Sequence, residues 1–268
     1  MSEHTHSRIH VVIPCAGVGA RAGGLLPKQY LPVAGQPMVV HTVNAFRAVR
    51  CVDRIAVVLA PTDQSWPMSA SASASIGVEC VYRGGANRAE SVQAGLQHLL
   101  YSGAQASDWV MVHDAARCLI EPQDIERLMQ TCLSQGKGGL LAVPVADTLK
   151  RAQTNAFASG QHVAATLERE GVWQAQTPQM FVMGELAEAL AGDLAGITDE
   201  ASAMERLGHR PVLVEGARSN IKITYPSDFE LANAWMASRT QAEYLNETDS
   251  RASSAANAPG DEPIEEYR

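Results

Sequence analysis

The chain has 268 residues, of which 46% are hydrophobic and 19% are charged, and its formal net charge is −8. This length suits one α/β domain with a buried core, the negative charge argues against a nucleic-acid-binding protein, and no apolar run approaches the roughly 20 residues of a membrane span. The five cysteines are scattered singly, which argues against a disulfide framework or a zinc site and predicts reduced thiols in the cytoplasm.

Short runs rich in β-branched residues alternate with segments of helical periodicity. The runs predict strands over residues 10–14, 54–60, 78–82, 109–113, 140–144 and 211–215. The periodic segments predict helices over residues 38–49, 88–101, 122–135, 184–191, 199–207 and 226–244. This alternation is typical of an α/β protein with a mostly parallel, wound sheet.

The ends of the chain differ in composition from this central part. Residues 1–8 are polar and lack the apolar stretch of an export signal, and residues 246–268 are rich in Ala, Ser and Glu. We therefore expect a disordered N-terminus, one domain over residues 9–245 and a disordered acidic tail. The low-complexity run at 69–75 is predicted to be a surface loop.

Residues 147–181 interrupt the alternation of strands and helices. They contain strand-like segments at 163–168 and 173–179 and a polar, glycine-containing turn at 153–161. An insertion of this kind in a wound sheet predicts a lid or an arm that reaches a partner subunit.

A glycine-rich segment, CAGVGARAGG at 15–24, follows the first predicted strand. Small residues let backbone N–H groups approach an anion closely, and Arg21 and Lys28 add positive charge, so a triphosphate is the predicted ligand. The segment lacks the Gly-Lys-Ser/Thr pattern of a Walker loop, because Gln29 follows Lys28. The second predicted strand ends without the acid that a dinucleotide fold uses for the ribose. A turn that serves chain geometry alone remains the alternative.

Polar residues also follow the later strands. In the segment 84–91, backbone N–H groups and Ser91 can face a ligand at the start of a helix, or Asn87 merely caps that helix. Asp114 and Arg117 can bind a ribose hydroxyl or metal ion and a phosphate, or form a plain surface ion pair. Lys222 lies between two apolar residues of a predicted short strand and is expected to point into a cleft.

Together these segments resemble the 2-C-methyl-D-erythritol 4-phosphate cytidylyltransferase family of the non-mevalonate isoprenoid pathway. The ordered motifs that carry the match span roughly residues 9–240 and lie at 14–21, 27–30, 84–91, 112–117, 147–148, 169, 177–179, 198–202 and 220–224. The resemblance implies a Rossmann-like nucleotidyltransferase fold and transfer of CMP from CTP to the acceptor phosphate, with Mg²⁺ and release of pyrophosphate. It also implies a homodimer formed through the arm.

The resemblance further implies roles for individual residues. Those that stabilise the transition state or hold reacting phosphates are Arg21, Lys28, Arg169 and Lys222. Those that contact the nucleotide are Ala16, Gly17, Gly85, Ser91 and Asp114. Those that hold the acceptor are Arg117, Thr148, Arg169 and Lys222, with Arg169 acting from the partner subunit; metal ligands are left unassigned.

Three positions depart from the usual family pattern. Ala86 and Ser219 stand where the family commonly has Asp, and Cys118 stands where Pro is usual. The alternatives are a cytidylyltransferase for ribitol 5-phosphate or another polyol phosphate, a sugar-1-phosphate nucleotidyltransferase using UTP or dTTP, and a non-catalytic nucleotide-binding domain. The presence of both Arg21 and Lys28 argues against the last of these, because a mere binding domain does not need both.

Overall fold

A computed structural model of the chain describes residues 8–17, 26–68, 77–153 and 162–256, with side chains described up to residue 241. Within these residues, seven strands form the main sheet, and their bounds are β1 (Ile9–Pro14), β4 (Val52–Val58), β5 (Val78–Val81), β6 (Trp109–Val112), β7 (Gly139–Pro144), β10 (Trp173–Val182) and β11 (Val212–Glu215). Two small sheets pair β2 (Pro32–Val33) with β3 (Gln36–Pro37) and β8 (Leu149–Ala152) with β9 (Val163–Leu167). The helices are α1 (Met38–Arg47), α2 (Arg88–Tyr101), α3 (Pro122–Gln135), α4 (Met183–Ala191), α5 (Glu200–Arg206) and α6 (Pro226–Ala256).

The main sheet has the strand order β11-β7-β10-β6-β1-β4-β5. Every neighbouring pair is parallel except those that involve β10, which runs antiparallel to both β6 and β7. The expected α/β architecture with a mostly parallel sheet is confirmed. The carboxyl ends of β1, β4 and β6 meet at one edge, where open sheets of this kind bind ligands.

Helices cover both faces of the sheet. Val11 and Ile13 of β1 pack on one side with apolar residues of α1 and α3, while Val12 packs on the other side with α2, α4 and α5. This arrangement explains why the strands are apolar at successive positions rather than alternating with polar residues. In the described part of the chain, none of the helices is both long enough and apolar enough to cross a membrane.

The predicted arm is wrong for its second strand. Residues 173–182 form β10, which lies in the middle of the main sheet, and the arm-like part is the antiparallel pair of β8 and β9. Polar residues made 173–179 resemble an exterior strand. In the fold, however, Gln176, Thr177 and Gln179 are buried and hydrogen-bonded at the edge that carries the candidate site.

One other prediction needs correction, and several concern residues outside the described ranges. The final helix extends to Ala256, past the predicted end at residue 244, and the disorder expected from residue 246 stays a prediction. Lys222 lies in irregular backbone and not in a strand, although Ile223 N–H donates to the carbonyl of Ala116 at 2.9 Å. The predicted loop at 69–75 falls outside the described residues, as do residues 1–7 of the N-terminus, 154–161 of the polar turn and 257–268 of the tail.

Candidate active site

A cavity of about 670 Å³ opens at the carboxyl edge of the sheet. Seven of the predicted site residues line it: Ala16, Gly17, Lys28, Gly85, Ser91, Asp114 and Lys222. These residues come from four separate segments of the sequence, and the parallel strands bring the segments to one edge. Arg21 lies in 18–25, outside the described residues.

The first segment of the cavity wall follows β1 and is fixed by Gln29. The buried amide of Gln29 donates to the carbonyls of Cys15 at 2.9 Å and Gly17 at 3.0 Å. Gly84 lies directly against this segment: a Cβ there would collide with the Cβ of Ala16 and come within 2.8 Å of the carbonyl oxygen of Leu59. The two glycine-containing loops can therefore meet only because this position has no side chain.

Lys28 leaves a short 3₁₀ turn, Lys28–Tyr30, and reaches across the cavity. Its ammonium donates to the carbonyl of Ile223 at 2.8 Å. Lys28 therefore lies beside the segment that carries Lys222, which is far away in the sequence. Both lysines thus line the same cavity, and Arg88 lines it as a third cation.

The second glycine-containing loop precedes α2. Asn87 caps this helix by accepting the N–H of Glu90 at 2.9 Å, as predicted. The Ser91 hydroxyl donates to the carbonyl of Asn87 at 3.0 Å and accepts the N–H of Gly85 at 3.2 Å, while Ala86 N–H donates to the Glu90 carboxylate at 2.7 Å. The N–H groups of Gly85 and Ala86 are thus used within the loop, so a ligand that contacts them must exchange these bonds.

Asp114 is buried among cations and is not part of a surface ion pair. Its Oδ1 accepts Nε of Arg88 at 2.7 Å, and its Oδ2 lies 2.8 Å from Nζ of Lys222 and 3.8 Å from Nε of Arg117. Burial by itself would raise the pKa of the Asp114 carboxyl, but Arg88 and Lys222 outweigh burial and hold that pKa well below its ordinary value. Asp114 is therefore a carboxylate at neutral pH.

Arg117 does not line the main cavity. Its guanidinium donates to the backbone carbonyls of Asn220 at 2.8 Å and Ala175 at 3.4 Å. It borders an adjoining cavity of about 300 Å³, which Lys222 lines as well. Burial lowers the pKa of Arg117, because the buried positive charge of the guanidinium is unfavourable. A second anion beside Asp114 would therefore stabilise this charge.

Thr148 and Arg169 are exposed, and neither lines these two cavities. Thr148 directly precedes β8 and Arg169 comes two residues after β9, so both lie at the base of the hairpin that forms the arm. The structure does not bring them to the other predicted residues within one copy of the chain.

Sequence reasoning missed the most deeply held ion pair of the site. Both Nη groups of Arg88 bind the carboxylate of Glu200, at 2.6 and 2.9 Å, and only 1% of the Glu200 residue surface is exposed. The pair joins the first turn of α2 to the first residue of α5. A charged residue directly after a capping residue is the only signal in the sequence, and it occurs at many surface positions.

The described residues offer no cluster of three or more His, Cys, Asp or Glu side chains that could hold a metal ion alone. Among the described residues that line the main cavity, Asp114 is the acidic one.

Of the three departures from the family pattern, Ala86 lines that cavity, Cys118 is buried in an apolar cluster, and Ser219 lines neither cavity. The five cysteines all lie in the described residues, and none of them forms a disulfide.

Comparison with known proteins supports the resemblance. Residues 9–238 match the family model for 2-C-methyl-D-erythritol 4-phosphate cytidylyltransferase (IspD). The enzyme of that name from Ralstonia nicotianae is 48% identical over 248 residues, which cover 88% of this chain and 95% of that protein. The bifunctional enzyme IspD/IspF of Albidiferax ferrireducens is 48% identical over 239 residues; the match covers 89% of this chain but only 55% of that relative, so the chain spans about half its length.

A solved structure gives the same result. The crystal structure of the Francisella tularensis 2-C-methyl-D-erythritol 4-phosphate cytidylyltransferase superposes with a TM-score of 0.69 at 32% identity, covering 85% of this chain and 99% of that one. The shared fold is that of the nucleotidyltransferases. The chain belongs to the 2-C-methyl-D-erythritol 4-phosphate cytidylyltransferase family.

Proposed function

We propose that the chain transfers the CMP group of CTP to 2-C-methyl-D-erythritol 4-phosphate, a step of isoprenoid precursor biosynthesis. The products are 4-diphosphocytidyl-2-C-methyl-D-erythritol and pyrophosphate. One observation carries the proposal: Lys28 and Lys222 line one cavity together with two glycine-containing loops and the carboxylate of Asp114. This site can bind a triphosphate and an anionic acceptor at the same time.

The reaction requires little covalent chemistry from the protein. A phosphate oxygen of the acceptor forms a bond to the α-phosphorus of CTP, and the bond from that phosphorus to the bridging oxygen of pyrophosphate breaks. The acceptor phosphate is already anionic, so no general base is needed to activate it. Catalysis then depends on holding the two anions in line and on stabilising the charge that develops around the phosphorus.

We assign this electrostatic role to Arg21 and Lys28. Lys28 lines the cavity next to the loop that begins at Ala16, where the triphosphate would lie. Ala16, Gly17, Gly85, Ser91 and Asp114 form the nucleotide side of the same cavity. Once their bonds within the loop are exchanged for bonds to the nucleotide, the backbone groups and the one hydroxyl of the loop before α2 suit the edge of a cytosine and leave little room for a purine.

The acceptor side is the smaller cavity that adjoins the first. Lys222 lines both cavities, so its ammonium can contact the acceptor phosphate where that phosphate meets CTP. Arg117 borders the smaller cavity. Burial of its guanidinium would be offset by the negative charge of the acceptor.

Mg²⁺ fits this donor set as an ion carried by the nucleotide. Mg²⁺ is commonly held by one or two carboxylates together with substrate phosphates, and Asp114 supplies one carboxylate at the cavity. When bound, the ion would neutralise charge on the phosphates of CTP. Arg88 and Lys222 already occupy the oxygens of Asp114, so one of these contacts would have to loosen for Asp114 to serve as a ligand.

The arm formed by β8 and β9 supports a homodimer. Thr148 and Arg169 are exposed at the base of the arm and line neither cavity of their own chain, so a partner's site is the place where they would complete the acceptor pocket. We place the enzyme in the cytoplasm, where its free thiols stay reduced.

The direct test is pyrophosphate release from CTP that depends on methylerythritol phosphate. The same assay with UTP, dTTP, ATP and GTP should show a strong preference for CTP, and ribitol 5-phosphate should be a poor acceptor. Preference for ribitol 5-phosphate would assign a different polyol phosphate, and preference for UTP or dTTP with a sugar 1-phosphate would assign a different transferase. CTP binding by calorimetry without turnover would instead indicate a non-catalytic domain.

A further inference from the structure

Glu200 is a buried carboxylate to which the proposed mechanism gives no role. It is the first residue of α5, its side chain is 1% exposed, and its two oxygens lie 2.6 and 2.9 Å from the two Nη atoms of Arg88. A bidentate pair of this kind is among the strongest and most directional that side chains form. We therefore ask how Glu200 affects the orientation and the other contacts of Arg88.

Arg88 uses its third nitrogen on Asp114. Nε of Arg88 donates to Oδ1 of Asp114 at 2.7 Å, and Oδ2 of the same carboxylate lies 2.8 Å from Nζ of Lys222. The two oxygens of Asp114 are thus divided between a guanidinium and an ammonium. The contacts run in one chain from the buried Glu200 to Lys222, whose side chain is 45% exposed and lines both cavities.

We propose that Glu200 is a positioning residue for Lys222. Glu200 binds both Nη groups of Arg88 and so holds the guanidinium in an orientation in which only Nε donates to Asp114, at Oδ1. The other oxygen of Asp114 remains for Lys222. The role of Lys222 in this inference rests on the proposed function. The finding that Arg88 and Lys222 each bind one oxygen of Asp114 does not.

The physical reason is competition between two cations for one carboxylate. A guanidinium prefers to bind both oxygens of a carboxylate in parallel, and an ammonium offers only a point charge. Without the charge of Glu200, the Nη groups of Arg88 lose their anionic partner, and the guanidinium turns to both oxygens of Asp114. Lys222 then loses its partner and its fixed place at the junction of the cavities.

The position of Glu200 is itself fixed by the central strand. The Gln179 amide on β10 donates to Oδ2 of Asp199 at 2.9 Å, and its carbonyl accepts the N–H of Ala201 at 2.8 Å. Asp199 caps α5 by a reciprocal pair of hydrogen bonds with Ser202. The residues on both sides of Glu200 are therefore held to the sheet, so its carboxylate cannot follow Arg88 if Arg88 moves.

The first test is a crystal structure of the Glu200→Gln variant without substrates. We expect Arg88 to bind both oxygens of Asp114 and Nζ of Lys222 to lie more than 4 Å from that carboxylate. An unchanged Lys222–Asp114 pair would overturn the proposal. This test needs no turnover, so its result is independent of whether the proposed reaction is correct.

The second test is kinetic. Glu200→Gln should lower kcat/KM for methylerythritol phosphate by about tenfold or more in the wild-type background and by less than about twofold in a Lys222→Met background, because coupled residues are not additive. Glu200→Asp, which keeps the charge, should recover part of the loss. Equal losses in both backgrounds would mean that Glu200 acts on the fold alone and would refute the positioning role.

The matched control is Asp108→Asn, which removes a buried carboxylate that accepts the N–H groups of Arg8 and Gln105. It should lower the melting temperature without affecting kcat/KM. If Glu200→Gln does not fold, the double variant Arg88→Met/Glu200→Gln leaves no unpaired buried charge from this pair. With its competitor removed, Lys222 should then remain paired with Asp114 in a crystal structure, and loss of that pair would count against the proposal.

Discussion

The hydroxyl of Thr177 lies 3.1 Å from Nδ1 of His113, and the other contacts of His113 fix the direction of this hydrogen bond. Nε2 of His113 lies 3.1 Å from the carbonyl oxygen of Arg117, which can only accept, so Nε2 carries the proton and Nδ1 is the acceptor. The Thr177 oxygen in turn accepts the N–H of Asp114 at 3.0 Å. A neutral, fully buried histidine therefore fixes the loop that presents Asp114 to the cavity. It binds the carbonyl of Arg117 directly and the N–H of Asp114 through the hydroxyl of Thr177.

This arrangement predicts acid sensitivity. Burial lowers the pKa of His113 to about 3, although the neighbouring Asp114 opposes this shift. In the unfolded chain the pKa is about 6.5, so the unfolded state binds a proton that the folded state does not. Stability should thus fall as the pH decreases from about 6.5 toward 3, by about 1.4 kcal/mol per pH unit from this residue.

The measurement is urea unfolding of wild type and His113→Gln between pH 7.5 and pH 4.5. The variant should be less stable at pH 7.5, because it loses the bond from Thr177. Its free energy of unfolding should change less steeply with pH, by the slope that corresponds to the uptake of about one proton on unfolding. The low pKa of Asp114 affects stability only below about pH 4, outside this window. Identical slopes for the two proteins would show that His113 is protonated in the folded state.

The cationic residues of the first loop are predicted to act on turnover rather than on the fold. Arg21→Ala and Lys28→Ala should each lower kcat by about 10²- to 10³-fold, the usual cost of removing one group that stabilises developing negative charge. The melting temperature should change little for Lys28→Ala, because the Lys28 side chain lines the cavity and is not part of the apolar core. Turnover within a few-fold of wild type would remove these residues from the mechanism.

Arg169 is predicted to complete the site of the neighbouring subunit. Lys28→Ala should inactivate a site from within, and Arg169→Ala should inactivate the site across the dimer. In a mixed dimer one site then carries both changes and the other carries none. Random remixing of the two inactive homodimers should restore up to roughly a quarter of wild-type activity. No recovery after verified subunit exchange would place Arg169 in its own subunit's site.

The end of the chain is predicted to be dispensable despite the helical backbone that reaches Ala256. Among the described side chains of α6, those that contact the rest of the domain precede residue 240: Ala232 is buried, Phe229 and Met236 pack against the same cluster, and Arg239 lies 3.7 Å from Glu121. A chain that ends after Asn246 should therefore keep its activity and its melting temperature within a few degrees. A large loss in thermal unfolding would show that the final residues pack against the domain.

Local sequence patterns predicted most strands and helices of the main sheet in the correct order, but not the short strands β2, β3 and β8. The β-branched runs and the helical periodicity correctly indicate a mostly parallel sheet covered on both faces, because these patterns depend on local geometry and on burial. Seven of the residues proposed for the site line one cavity, since parallel strands bring their carboxyl ends to one edge.

The pairing of the polar residues could not be predicted from local sequence patterns, because it depends on contacts between distant segments. Residues 173–179 resemble an exterior strand because glutamine and threonine are usually exposed, yet distant groups satisfy them inside the sheet. The pairing of Arg88 with Glu200 joins residues 112 positions apart, and no local pattern distinguishes it from solvated surface charges. The packing of α2 against α5 determines which cation binds each oxygen of Asp114. A buried charge without a partner is costly, so each buried charge here is paired.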